Sequence, residues 1–226
     1  MRHCFTILIF LTSITGVAQF KHSEFYAVTR FAFGMGMNSY TYRSELEGNM
    51  VDIPRAIQIE LGKGLIPEIG LGFKLTKNVY VETSISYSRT SNFYTTKGVN
   101  GINEQGYSFN RYAIQLNGKY FVPVTEKFLL GFNGGGSFSM PKELVVKMSG
   151  YIESIKYAGS NGLQAGFTGN YILGIVSFSG GIRYRLERFT IKPHQDLPNN
   201  FKAINPNFNK INSSGIDLVF SVLFHF

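Results

Sequence analysis

Few residues in this 226-residue chain have the types and spacing that chemistry demands. A general base must stand within hydrogen-bond reach of its nucleophile, and beyond the first few residues the histidines are His22, His194 and His225. His22 precedes the patterned part of the chain, and His225 is its penultimate residue. His194 alone lies where other segments could meet it, yet no nearby serine and carboxylate complete a triad. The glycine-rich stretch from Gly131 to Gly136 lacks the Gly-Lys-Ser/Thr ending and the following helix of a phosphate cradle, so it reads as strand. The single cysteine, Cys4, and the scattered histidines form no metal-ligand cluster. The expectation is a protein with no catalytic, cofactor-binding or metal site, and no enzymatic activity.

The charged residues say more through their positions. Arg30, Glu68, Lys74, Glu82, Lys119, Arg183, Arg185 and Asp217 all fall on the polar side of segments that alternate with period two. Leu65, Pro67, Ile69, Leu71, Phe73 and Leu75 alternate with Ile66, Glu68, Gly70, Gly72 and Lys74. Comparable pairs of faces run through 25–40, 79–88, 111–122, 130–138, 162–172, 175–187 and 214–226. These make eight strands. The joins near 76–78, 124–127 and 173–174 are short, whereas those near 41–63, 91–107, 140–161 and 188–213 are long. Strict alternation of short and long joins puts every long loop at one end of the molecule. The further alternation in 57–61 and 144–147 suggests hairpins that project beyond the main body.

Composition agrees with an all-β reading. Hydrophobic residues make up 44% of the chain and charged residues 16%, below the roughly 25% charge of soluble domains. Beyond the N-terminus, no stretch approaches the roughly 20 apolar residues of a membrane-spanning helix. Arg2 and His3, an apolar core from Phe5 to Leu11, and the small residues Gly16-Val17-Ala18 read as a secretory signal over 1–18, leaving 19–226 as one domain. The net charge of +8 is not gathered in any basic run, which argues against nucleic-acid binding.

Periodicity alone does not say which face is inside, because a soluble ligand-binding barrel has the opposite polarity. Two features favour an apolar exterior. The polar face is rich in glycine, at Gly34, Gly36, Gly70, Gly72, Gly131, Gly135, Gly166 and Gly181, as a narrow lumen with long charged side chains requires. The apolar face carries Tyr87, Tyr112, Tyr120, Phe128 and Phe138 near strand ends, like an interfacial girdle. On this orientation Leu71→Arg should impair assembly, while Gly72→Ser, among polar neighbours, should be tolerated.

The chain also ends inside a strand, on Val219-Phe220-Ser221-Val222-Leu223-Phe224-His225-Phe226. Here it resembles the small eight-stranded outer-membrane β-barrels, whose last strand carries an aromatic signal read by the barrel assembly machinery. Phe224 and Phe226 match that signal, while Ser221 and Val219 depart from it. The resemblance implies an antiparallel up-and-down transmembrane barrel in a Gram-negative outer membrane, in contact with lipid and lipopolysaccharide. The compact size and signal end are similar to Bacteroidota proteins of this kind. Some barrels of this size are lipid A deacylases or acyltransferases, but the histidine positions do not support that chemistry.

In such a barrel Arg30 lies between the strands of Glu68 and Asp217, Asp217 adjoins the strand of Arg183 and Arg185, and Glu82 lies between those of Lys74 and Lys119. The lumen charges should therefore pair and close the interior. The expected role is structural, or interaction through the surface loops. The alternatives are a narrow small-solute channel and an accessory barrel of a larger secretion or gliding machine. The last long loop carries Arg188, Lys192, Lys202 and Lys210 against Asp196. It is either a contact for anionic lipopolysaccharide or a protein partner, or simply a solvated loop.

Overall fold

Valine, isoleucine, tyrosine, phenylalanine and threonine crowd the alternating segments, and such side chains suit a pleated surface. The computed structural model describes residues 24–43, 56–98, 101–148, 151–192 and 206–226. Their strands are β1 (Phe25–Gly36), β2 (Asn38–Arg43), β3 (Ala56–Leu61), β4 (Gly64–Lys74), β5 (Val79–Gly98), β6 (Gly101–Pro123), β7 (Phe128–Met148), β8 (Tyr151–Lys156), β9 (Ser160–Leu173), β10 (Val176–Thr190), β11 (Lys210–Asn212) and β12 (Gly215–His225). β1, β4, β5, β6, β7, β9, β10 and β12 pair antiparallel in that order, and β12 returns to β1. The eight expected strands therefore form a closed barrel, which leaves no edge inside a bilayer.

The register sets the tilt. A row of partners across the strands runs from Tyr26 through Gly72, Glu82, Asn117, Gly135, Gln164, Arg185 and Gly215 to Gly36, ten residues further along β1. This stagger inclines the strands to the barrel axis. The whole row lies on the inner face, so one circuit of the lumen climbs like a ramp.

The apolar face points outward, as the glycines and girdle aromatics suggested. Leu71, Ile69, Leu116 and Ile85 are 64%, 66%, 60% and 57% exposed, a belt that only a lipid environment makes stable. Tight turns close the end that carries both termini. The Leu75 N–H donates to the Val79 carbonyl (2.9 Å), the Thr125 hydroxyl accepts from the Phe128 N–H (3.0 Å), and Gly174 takes the left-handed φ of 65° that its turn requires.

The other end differs from the expected long loops. Much of 91–107 and 140–161 is strand, because β5 and β6 pair as far as Gly98 and Gly101, and β7 continues against β8. Thr, Tyr, Phe and Val maintain strand propensity there after the strict apolar alternation has ended. The expected strand 25–40 breaks at Met37, where β2 leaves the barrel to pair with β3. These projecting hairpins and β11 enclose a second core containing Tyr42, Ile57, Ile59, Leu61, Phe109, Leu144, Ile155, Tyr157, Phe189 and Phe208. Residues 1–18, expected to be a secretory signal, lie outside the described residues.

Candidate functional site

The inner wall brings the charged side chains of β1, β4, β5, β6, β10 and β12 into one continuous chain of ion pairs. At its lower end, Lys119 Nζ meets Glu82 Oε2 at 2.5 Å. Arg30 bridges Glu82 Oε1 (2.8 Å) and Glu68 Oε2 (2.7 Å), and its Nε donates to Ser221 Oγ at 3.2 Å. Glu68 Oε1 is held by Arg183 Nη1 (2.6 Å), and Arg183 Nη2 reaches Asp217 Oδ2 (2.8 Å). Asp217 also accepts from Arg185 Nη2 at 3.2 Å, and Arg185 Nη1 pairs with Glu187 at 3.0 Å. Glu187 ends the chain on Arg111.

Five cations thus alternate with four carboxylates, leaving one positive charge in excess. All are buried apart from Lys119, which is 12% exposed at its side chain. Lys119 and Arg111 belong to the same strand, eight residues apart, so the chain leaves β6 low in the barrel and returns to it higher up. The ramp-like register makes this climb possible. Isolated buried ions would each cost several kcal/mol, and alternation with shared hydrogen bonds offsets that cost.

Apolar groups flank the chain on both sides. Toward the short turns, Tyr26, Val28, Tyr80, Phe121, Leu129, Ile172 and Leu223 cluster inside the barrel. Tyr26 joins the two layers, donating its hydroxyl to Glu82 at 2.9 Å. Toward the hairpins, the segment from Leu61 to Gly64 folds across the mouth. Gly62 has φ of +84°, and a Cβ on Gly34 would lie 2.3 Å from its carbonyl oxygen. That oxygen accepts from Arg185 Nη2 at 3.3 Å, which ties the hairpin to the ion chain. In the core above, the Tyr42 hydroxyl donates to Glu153. Burial and that carboxylate push the Tyr42 hydroxyl above the ordinary tyrosine range.

Beside the charges lies a polar cavity of about 20 Å³ among Asn117, Asn133, Gln164, Thr168, Asn170 and Ser179, room for about one water.

Of the charges expected in the lumen, Arg30, Glu68, Glu82, Lys119, Arg183, Arg185 and Asp217 meet. Lys74 stands half-buried near the lower rim, opposite Tyr80 in register. Glu82 is held by Lys119, Arg30 and Tyr26, and Arg30 reaches Glu82 on β5, while Asp217 is occupied by two arginines of β10. Sequence reasoning missed Arg111 and Glu187. Both have inward parity, but they stand at the ends of the segments 111–122 and 175–187, where they read as rim residues. The continuation of β6 and β10 makes them internal.

Gly72→Ser is also recast. The Tyr26 ring covers Gly72, its cross-strand neighbour, and an added Cβ would stand 2.0 Å from that ring. Of the candidate bases, His225 is inward and lies 2.7 Å from Ser177 Oγ, whereas His22 and His194 lie outside the described residues. Phe224 and Phe226 end the chain on the outer face, 42% and 74% exposed.

No protein-family model matches the chain, and no curated protein matches it in sequence. Solved structures do. The outer-membrane protein OprG of Pseudomonas aeruginosa aligns with a TM-score of 0.55 at 13% identity, over 92% of this chain and 100% of its own. Neisserial surface protein A aligns with a TM-score of 0.50 at 14% identity, over 90% of this chain and 98% of its own. At such identities the likeness concerns the fold, and it agrees with the closed ring of strands and the exposed apolar belt. The chain is an eight-stranded transmembrane β-barrel with the fold of small Gram-negative outer-membrane proteins.

Proposed function

We propose that this protein is a non-conducting outer-membrane barrel whose role is structural or is exerted through its projecting hairpins. The observation that carries this reading is the chain of alternating charges from Lys119 to Arg111, with an apolar cluster on either side of it. An ion entering the lumen would have to displace a paired charge and also pass Tyr26, Tyr80 and Phe121 at one end and the covering hairpin at the other. A channel would need a continuous wet path, and the polar cavity beside the charges holds about one water. The projecting hairpins share a buried core, so they form an ordered surface suited to a partner.

Planar-bilayer recording of the refolded protein tests the proposal. Wild type should show rare openings, and Arg30→Ala, which removes the bridge between Glu68 and Glu82, should show more. Frequent, stable openings of the wild type would make the protein a narrow channel and end this reading.

A further inference from the structure

Three outward cations stand where the lipid belt meets the projecting hairpins: Arg89 on β5, Lys142 on β7 and Arg188 on β10, all exposed. Outward apolar side chains lie directly below them, Tyr87 beneath Arg89, Met140 beneath Lys142, and Leu186 beneath Arg188. The register relates the first two. Arg89 pairs with Asn110, and an irregularity between Phe109 and Arg111 sets Asn110 opposite the Lys142–Glu143 segment. Arg89 and Lys142 are therefore two strands apart, a separation of about 9–10 Å. Lys142 bends back toward the belt, with Nζ 5.7 Å from the centre of the Tyr112 ring, and Tyr112 packs on Tyr87 with ring centres 5.0 Å apart.

Among the described residues, none of the three cations forms an ion pair. Glu143, exposed beside Lys142 and bonded to the Ser154 hydroxyl, sets one carboxylate against the three cations, and the other end of the belt is more evenly balanced. There Glu24, Lys74, Lys77, Glu126 and Lys127 mix both signs.

We infer that Arg89, Lys142 and Arg188 form a half-collar that binds the phosphate groups of an anionic outer-leaflet lipid. The argument is one of position and charge. The belt fixes where the acyl chains end, so the groups next above it are lipid headgroups, and the protein meets them there with net positive charge. Long cationic side chains at such a boundary lay their stems on apolar neighbours and hold their heads at the interface. Tyr87 and Tyr112 supply the amphipathic surface usual at that depth. A zwitterionic headgroup would carry its own cation into the same space and gain less.

The experiment titrates the refolded barrel in detergent with bisphosphorylated lipid A or with phosphatidylcholine, and counts bound lipid by native mass spectrometry. Heat-dependent gel mobility checks that each variant is folded. Wild type should retain lipid A in preference to phosphatidylcholine. The triple variant Arg89→Gln/Lys142→Gln/Arg188→Gln should lose affinity for lipid A on the order of a hundredfold, at about fivefold for each interfacial charge. The double variant Lys77→Gln/Lys127→Gln, at the opposite rim, should bind like wild type. Equal retention of both lipids by wild type, unchanged binding by the triple variant, or equal loss in the rim variant would each overturn the assignment. Bilayer conductance is not read here, so the closed-lumen proposal can fail while this one stands, and the reverse.

Discussion

Asp217 is the acceptor on which the upper half of the ion chain turns, and its replacement isolates the energetic claim. The residue is completely enclosed, and its carboxylate accepts from Arg183 Nε (2.9 Å) and from Arg185 Nε (3.3 Å) and Nη2 (3.2 Å), with Arg183 Nη2 in ionic contact at 2.8 Å. Asp217→Asn keeps the size and removes the charge. The enclosed excess then rises from one positive charge to two, and an amide NH₂ faces guanidinium groups that can only donate. Removing one partner of a buried ion pair costs about 3–5 kcal/mol. Arg183 keeps Glu68 and Arg185 keeps Glu187, so the lower end of that range, about 3 kcal/mol, is the expected loss. An internal control is available in the exposed pair between Lys63 and Glu60, 3.0 Å apart. Exposed pairs are worth about 0–1 kcal/mol, so Glu60→Gln should leave stability almost unchanged. Urea titration of the folded fraction in detergent micelles, read by gel mobility, gives both numbers. If Asp217→Asn unfolds within about 1 kcal/mol of wild type, as the exposed control should, the charges are solvated and the account of the lumen is wrong.

Two further substitutions test the walls. Leu71→Arg places a charge on the lipid face and should cost about 2–4 kcal/mol if it lies near the bilayer midplane, measured by the same titration. Gly72→Ser should cost about 1–3 kcal/mol by crowding the Tyr26 ring, and the penalty should shrink in a Tyr26→Ala background; an equal penalty in both backgrounds would show that the ring is not the obstacle. Deleting Phe226, whose N–H donates to the Phe25 carbonyl at 3.0 Å, should leave export intact and lower the folded fraction recovered from the outer membrane. Normal recovery would mean that the terminal aromatic plays no part in assembly.

How much of this could be read from the sequence depends on how far each feature is local. Side-chain direction follows from period two alone, so the facing of Leu71 and Glu68 was legible without knowing any partner. Membership of the charge cluster was mostly legible for the same reason, since inward parity in a narrow barrel leaves few places for a charge. Pairing between adjacent strands was legible from strand order, as for Arg30 with Glu68, Glu82 with Lys119 and Asp217 with Arg183 and Arg185. Pairing across the lumen was not, because it depends on the stagger. The climb from Tyr26 to Gly36 around the ring decides that Arg30 meets Glu82 and that Arg183 meets Glu68. The clustering of the inward aromatics was hidden as well. Parity puts Tyr80 on the face of Glu82, but its packing against Tyr26 and Phe121 joins strands whose relative height again depends on the stagger. The upper core was hidden because its residues come from hairpins far apart in the chain, each with too few apolar positions to stand out.

The two faces of the barrel also answer to a constraint that precedes folding. An apolar exterior is required by lipid, and an equally apolar interior would give continuous hydrophobic runs. Such runs are what an exporting membrane reads as spanning helices once they approach about 20 residues. The chain avoids them: its mean hydropathy is zero, and polar residues interrupt the apolar ones at nearly every second position. The polarity that suits export must then be satisfied inside a closed, narrow wall. An eight-stranded interior is only wide enough for side chains, so Glu68, Glu82, Asp217 and Glu187 cannot rely on bulk water for solvation. Arginine meets this need better than lysine, because its planar fork can bind two carboxylates at once, as Arg30 and Arg183 do here. Every carboxylate is shared between two cations, at least one of them on another strand, so the pairs brace the wall from within. In the closed lumen we propose, the same bonds that solvate the buried charges are the ones a passing ion would have to break.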